Sequence, residues 1–184
     1  MPTTMLVAMI LGFALSISVA VAIGMASLVG AWQADLNFLA VVKEMFGALN
    51  KFPLAAIPFF ILAGNLMESG GISSRLVEFA KSIVGGIQGG LAATCVLTCM
   101  IFAAVSGSSV ATTFAIGAIL IPALIRHGYP TSYAAALQAT SAELGVIIPP
   151  SIPMILYGVA AEVSIGELFI AGVGPGLLIG GALM

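Results

Sequence analysis

Charge is scarce in this chain: 184 residues include five Lys or Arg, seven Asp or Glu and one histidine. Charged residues make up 7% of the sequence, against roughly 25% in an ordinary soluble domain, which excludes a soluble globule. The few cations form no run, so a nucleic-acid partner is excluded, because phosphate binding needs clustered Lys and Arg. The lone histidine, His127, and the two cysteines, Cys95 and Cys99, fall short of the roughly four ligands of a structural metal site. Cysteines four apart inside an apolar run read as small packing residues on one helix face. No glycine-rich phosphate loop is present, so ATP hydrolysis is not encoded here. An intramembrane Ser108 nucleophile would need a base within hydrogen-bond reach. His127 is about nineteen residues away, roughly 28 Å along a helix. The chain is not read as an enzyme, and it calls for no cofactor beyond a coupling ion.

What is present is apolar: 61% of the residues are hydrophobic. The charges leave uncharged runs at residues 1–34, 82–125, 144–161 and 168–184. Several match or exceed the roughly 18 to 20 residues that cross a bilayer core as a helix. The alternation of a membrane barrel strand is missing. The expected class is an all-α polytopic membrane protein. Residues 1–4 lack the basic start of a signal peptide, so residues 5–30 are expected to form a retained first transmembrane helix. Residues 32–51 mix Asp35, Lys43, Glu44 and Lys51 with apolar positions at helical spacing and read as an interfacial helix or connector. Residues 52–67, with Pro53 and Pro58 and a stop at Glu68-Ser69-Gly70-Gly71, predict a second membrane helix. Residues 72–82 read as an amphipathic connector.

Residues 82–125 are bounded by Lys81 and Arg126. If both ends face the cytoplasm, as Lys and Arg prefer, the chain between them must enter the membrane and return. The polar Ser106-Gly107-Ser108-Ser109 divides it into arms at residues 91–105 and 110–125, roughly 15 residues each and short of a full crossing. This pattern favours a re-entrant helical hairpin, with two full crossings around a tight polar turn as the alternative. A helix is then expected from Tyr129-Pro130-Thr131-Ser132 to about Leu144. Residues 145–153 contain Pro149, Pro150 and Pro153 and cannot continue it, because each proline removes a donor and clashes one turn back. A broken transmembrane helix follows, then a turn at residues 162–167 and a last helix rich in glycine.

Non-helical backbone at membrane depth is tolerated only inside protein or along a cavity. The candidate site therefore comprises the tip and its first turn, Ser106, Gly107, Ser108, Ser109, Thr112 and Thr113, together with the break, Gly145, Pro149, Pro150 and Ser151. Carbonyls and helix C-termini suit a small cation, and helix N-termini suit a carboxylate, which is the chemistry of a sodium-coupled anion transporter. Sodium is assigned to Ser106, Ser109, Gly145 and Pro149. Small hydroxyl residues also let membrane helices pack closely. Glu143, beside the break, is either a proton or cation ligand or a helix-end carboxylate. The Gly85/Gly89 and Gly172/Gly176 spacings speak for packing alone.

Pro58-Phe59-Phe60-Ile61-Leu62-Ala63-Gly64, Gly70-Gly71-Ile72-Ser73, Ser106-Gly107-Ser108-Ser109, Ile148-Pro149-Pro150-Ser151-Ile152-Pro153-Met154 and Pro175-Gly176-Leu177-Leu178 resemble, in order and spacing, the large membrane subunit of tripartite ATP-independent periplasmic (TRAP) transporters. The resemblance implies an elevator-type transporter of the ion transporter superfamily, sodium coupling, a periplasmic substrate-binding protein, a small membrane subunit and organic acid anions of the C4-dicarboxylate or sialic acid type. It implies a multi-pass protein of a bacterial or archaeal inner (plasma) membrane. Thr112 stands where an acidic residue is common, and Val146 where proline is. Because that subunit carries a second, inverted repeat, residues 1–184 are expected to be its N-terminal part. Residues 1–81 would be scaffold helices and connector, 82–161 the hairpin and broken helix of the transport domain, and 162–184 the truncated start of a further helix. The alternatives are a sodium or proton/anion symporter of the same superfamily that needs no binding protein, and a channel.

Overall fold

The computed structural model describes residues 2–184, which divide into two compact units, residues 2–51 and 52–184. Among the described residues every regular element is helical.

In the first unit the expected single helix over residues 5–30 is two helices, α1 (Pro2–Ala14) and α2 (Val19–Gln33). Ser16 turns the chain with φ of 58°, and Ile17 N–H closes the end of α1 on Gly12 O at 3.0 Å. The pair is antiparallel: a methyl group at Gly12 would lie 2.8 Å from Ala22 Cβ, and one at Gly30 would lie 2.5 Å from Met5 Sδ. Thr4 Oγ1 donates to Gln33 Oε1 across the same two ends at 2.5 Å. The apolar pattern concealed this turn because two serines carry it and no charge marks it. A further helix, α3 (Phe38–Leu49), starts where the Asn37 side chain accepts from Leu39 N–H at 3.0 Å, an N-cap that satisfies one of the orphan donors.

The second unit begins with a 3₁₀ turn at Phe52–Ala55 leading into α4 (Ala56–Ser69). Gly71, at φ of 70°, turns the chain into α5 (Ile72–Val84). Then come α6 (Gly90–Ser106), α7 (Ser109–Arg126), α8 (Thr131–Ala142), a single turn α9 (Leu144–Ile147), α10 (Ile152–Ala161) and α11 (Ile165–Leu183). Helix α6 is apolar on all sides, as a helix surrounded by protein must be, and Ala93, Cys95, Val96, Cys99, Phe102 and Ala103 are all buried. Its threonines do not break this pattern, because Thr94 and Thr98 hydroxyls donate to Gly90 O and Thr94 O at 2.6 and 2.7 Å. The core joins Cys95, Cys99 and Phe102 of α6 to Ala115, Ile116 and Leu120 of α7.

The hairpin arms are longer than expected: α6 has 17 residues and α7 has 18. Helix α7, α11 and the stretch Phe52–Ser69 are each long and apolar enough to cross a membrane, and the pair Thr131–Ile147 with Ile152–Ala161, bent by 40°, makes a fourth candidate. The chain is thus a multi-pass membrane protein by length and composition. Helix α11 faces the break with a stripe of Gly172, Gly176 and Gly180, all buried. Methyl groups there would lie 2.5 Å from Ile147 O, 2.7 Å from Ile148 Cγ1 and 2.5 Å from Met100 Sδ respectively. Glycine at this spacing lets the helix backbone press directly on its neighbours.

Candidate functional site

The tip of the α6–α7 hairpin meets the break between α8 and α10. Gly107 ends α6 in the left-handed region, with φ of 63°, a conformation that glycine adopts at little cost. Its carbonyl accepts from Ile152 N–H, the first residue of α10, at 3.1 Å. A methyl group at Gly107 would lie 2.7 Å from Pro150 O, and one at Gly145 would lie 3.1 Å from Ser108 C and Ser109 N. The two non-helical segments therefore pack backbone to backbone.

The hydroxyls are used in specific ways. Ser108 caps α7 by accepting from Ala111 N–H at 3.3 Å, while its carbonyl accepts from Thr112 Oγ1 at 2.8 Å. Thr113 Oγ1 donates to Ser109 O at 2.8 Å. Ser106 and Thr112, each buried, place their hydroxyls 3.3 Å apart. The helix continues past Gly145 to Ile147, so the break is confined to residues 148–151, narrower than the expected 145–153. One proline is helical, since Pro153 sits in the first turn of α10, where its missing N–H costs nothing. The peptide between Pro149 and Pro150 is cis.

Prolines at 149 and 150 deprive the carbonyls of Gly145 and Val146 of their helical donors. Buried Ser151 supplies one replacement, donating to Val146 O at 2.6 Å while its oxygen accepts from Met154 N–H at 3.3 Å and caps α10. Pro149 has no N–H to give Gly145 O, the carbonyl one turn back. Two helix C-termini, of α6 and α9, and two N-termini, of α7 and α10, thus converge on one small region. The C-termini present negative partial charge and the N-termini positive, so the region has complementary places for a cation and for a carboxylate.

Of the residues expected from sequence, Ser106, Gly107, Ser108, Ser109, Thr112, Thr113, Gly145, Pro149, Pro150 and Ser151 belong to this junction. Glu143, at the joint of α8 and α9, has an exposed side chain and is not enclosed with the buried hydroxyls. Two contributors were missed. Gln138, buried on α8, donates from Nε2 to Thr112 O at 3.3 Å and accepts from the thiols of Cys95 and Cys99 at 3.1 and 3.7 Å. It thereby ties α8 to both arms of the hairpin. Its signal was a lone amide within an apolar helix. Gly64 of α4 brings that helix against the tip, and a methyl there would lie 3.4 Å from Ser106 Cβ.

The family described as "Tripartite ATP-independent periplasmic transporter, DctM component" matches residues 3–184. The chain belongs to that family. Among its DctM relatives is the C4-dicarboxylate TRAP transporter large permease protein of Pseudomonas aeruginosa, 50% identical over 141 residues, covering 77% of this chain and 33% of that protein. The isethionate TRAP transporter permease protein of Oleidesulfovibrio alaskensis is 44% identical over 171 residues, covering 91% of this chain and 27% of the relative. The ectoine TRAP transporter large permease protein of Halomonas elongata is 39% identical over 181 residues, covering 97% of this chain and 42% of the relative. The chain spans 27% to 42% of the length of these three DctM relatives. The relatives are transport permeases, not enzymes.

Proposed function

We propose that this chain is the N-terminal part of a large TRAP permease that imports an organic acid anion by sodium symport. The observation that carries this reading is the junction itself: Gly107 O bonded to Ile152 N–H at 3.1 Å, with four helix termini around it. Sodium would lie among carbonyl and hydroxyl oxygens of Ser106, Ser109, Gly145 and Pro149, and the anion would approach the N-termini capped by Ser108 and Ser151. The hairpin would be re-entrant, its tip held at mid-membrane by the break. Residues 82–161 would then move as an elevator against a scaffold that includes residues 1–81. The names of relatives favour C4-dicarboxylate as the anion. Partners would be the small membrane subunit and a periplasmic binding protein, in a bacterial inner membrane.

The test is uptake of a radiolabelled C4-dicarboxylate into liposomes holding the full permease with its small subunit. An inward sodium gradient and the loaded binding protein should both be required. Uptake that persists without sodium would overturn the coupling. Uptake without the binding protein would instead support a self-sufficient symporter, and unsaturable conductance would support a channel.

A further inference from the structure

A second polar feature lies away from the junction, at the opposite end of the hairpin. A cavity of about 330 Å³ is lined by Lys81, Gly85, Leu91, His127 and Tyr129. That volume reaches the lower end of the roughly 300 to 1,000 Å³ range of small-ligand sites. No carboxylate is among those residues, although the whole chain has more acidic than basic groups. Of its five Lys and Arg, Lys81 lines the cavity and exposed Arg126 adjoins His127 in sequence.

Each lining group has a structural reason to be there. Lys81 occupies the last turn of α5. His127 caps the end of α7, and its Nδ1 is 2.8 Å from Ala123 O. A carbonyl can only accept, so Nδ1 carries the proton and Nε2 is left for a ligand. It accepts from a ligand hydroxyl when the ring is neutral and donates to an anionic oxygen when the ring is charged. Gly128, at φ of 89°, turns the chain so that Tyr129 follows directly, and its ring stacks on Tyr133 with centroids 5.6 Å apart.

We propose that this cavity binds the phosphate of an anionic phospholipid headgroup. The cavity lies where the apolar helix α7 ends in Arg126 and His127, and basic and aromatic residues closing an apolar membrane segment mark the depth of lipid headgroups. Basic pockets between membrane helices at this level recognise such headgroups. Lipid is favoured over a free anion because the polar pocket adjoins apolar surface: Leu91 forms one wall, and Ile87 and Ile125 in the neighbouring segments are exposed. Tyr129 and Tyr133 fit the aromatic girdle of the same interface.

The test uses the delipidated full permease in detergent, titrated with phosphatidylglycerol or phosphatidylcholine and read by native mass spectrometry. Phosphatidylglycerol should bind more tightly. Lys81→Gln should weaken it about fivefold, the loss expected for one cation near a headgroup, and Lys81→Arg should restore it. His127→Gln should also weaken it. Lys43→Gln, which removes an equal charge from α3, should change nothing. Equal losses for Lys81→Gln and Lys43→Gln would reduce the effect to bulk charge and overturn the site. Displacement of the lipid by excess inorganic phosphate would assign the pocket to a free anion and overturn the lipid reading.

Discussion

Replacing Gly107 by alanine in the full permease separates two costs that the structure assigns to one position. The first is conformational: φ of 63° places a side chain in the left-handed region, at a cost of roughly 1–2 kcal/mol. The second is contact: the new methyl would lie 2.7 Å from Pro150 O and 3.3 Å from Pro150 C. Both atoms are backbone and cannot swing aside, so the tip must move off the break, adding about 1–3 kcal/mol as in other overpacked sites. Gly71 provides the control, because its φ is 70° and a methyl there would meet nothing within 4 Å. Gly71→Ala therefore carries only the first cost. Gly107→Ala should lower the thermal midpoint of the purified permease further than Gly71→Ala, and should cut sodium-driven uptake by at least tenfold, the factor that about 1.4 kcal/mol represents. Gly71→Ala should leave uptake near its original rate. If the two variants behave alike in both assays, tip and break do not form one site.

Three further substitutions test neighbouring parts of the junction. Gln138→Met keeps bulk but removes the second donor to Thr112 O and the acceptor of two thiols, so the thermal midpoint should fall in proportion to a loss of about 0.5–1.5 kcal/mol; an unchanged midpoint would refute its tying role. Ser151→Ala removes both the α10 cap and the donor to Val146 O, a loss of roughly 0.5–2 kcal/mol for the cap alone. The sodium concentration for half-maximal uptake should rise, and Ser151→Thr should recover part of the effect. Gly172→Ala, whose methyl would lie 2.5 Å from Ile147 O, should destabilise the permease, whereas Gly174→Ala meets nothing within 4 Å and should be neutral or slightly stabilising because alanine favours helix. Equal effects of the two would contradict the packing of α11 on the break.

The parts legible in sequence were those marked by residues with few conformational options. Pro149 and Pro150 forbid continuous helix, and Ser106-Gly107-Ser108-Ser109 interrupts an otherwise unbroken apolar run, so both breaks could be placed before any coordinates. Their contact could not, because it depends on the close approach of Gly145 to the Ser108–Ser109 peptide, and one glycine among 22 carries little signal. The turn at Ser16 was hidden for a related reason: in a uniformly apolar stretch, helix and reversal share one hydropathy profile. The extra turn of helix through Ile147 escaped because a proline constrains the chain before it only through the residue next to it and the carbonyl one turn back. Gln138 was passed over because its partners, a carbonyl and two thiols, come from helices remote in sequence.

The bond from Ile152 N–H to Gly107 O closes residues 107–152 into a loop fastened at its own ends. Helices α7 and α8 lie wholly inside that loop, and residues 107 and 152 are the points at which it opens to the rest of the chain. A displacement that draws either end through the membrane must bring the other with it or break the clasp. Under the proposed elevator movement, the geometry around the four helix ends would be carried as a fixed cargo, and access to it would change through its surroundings.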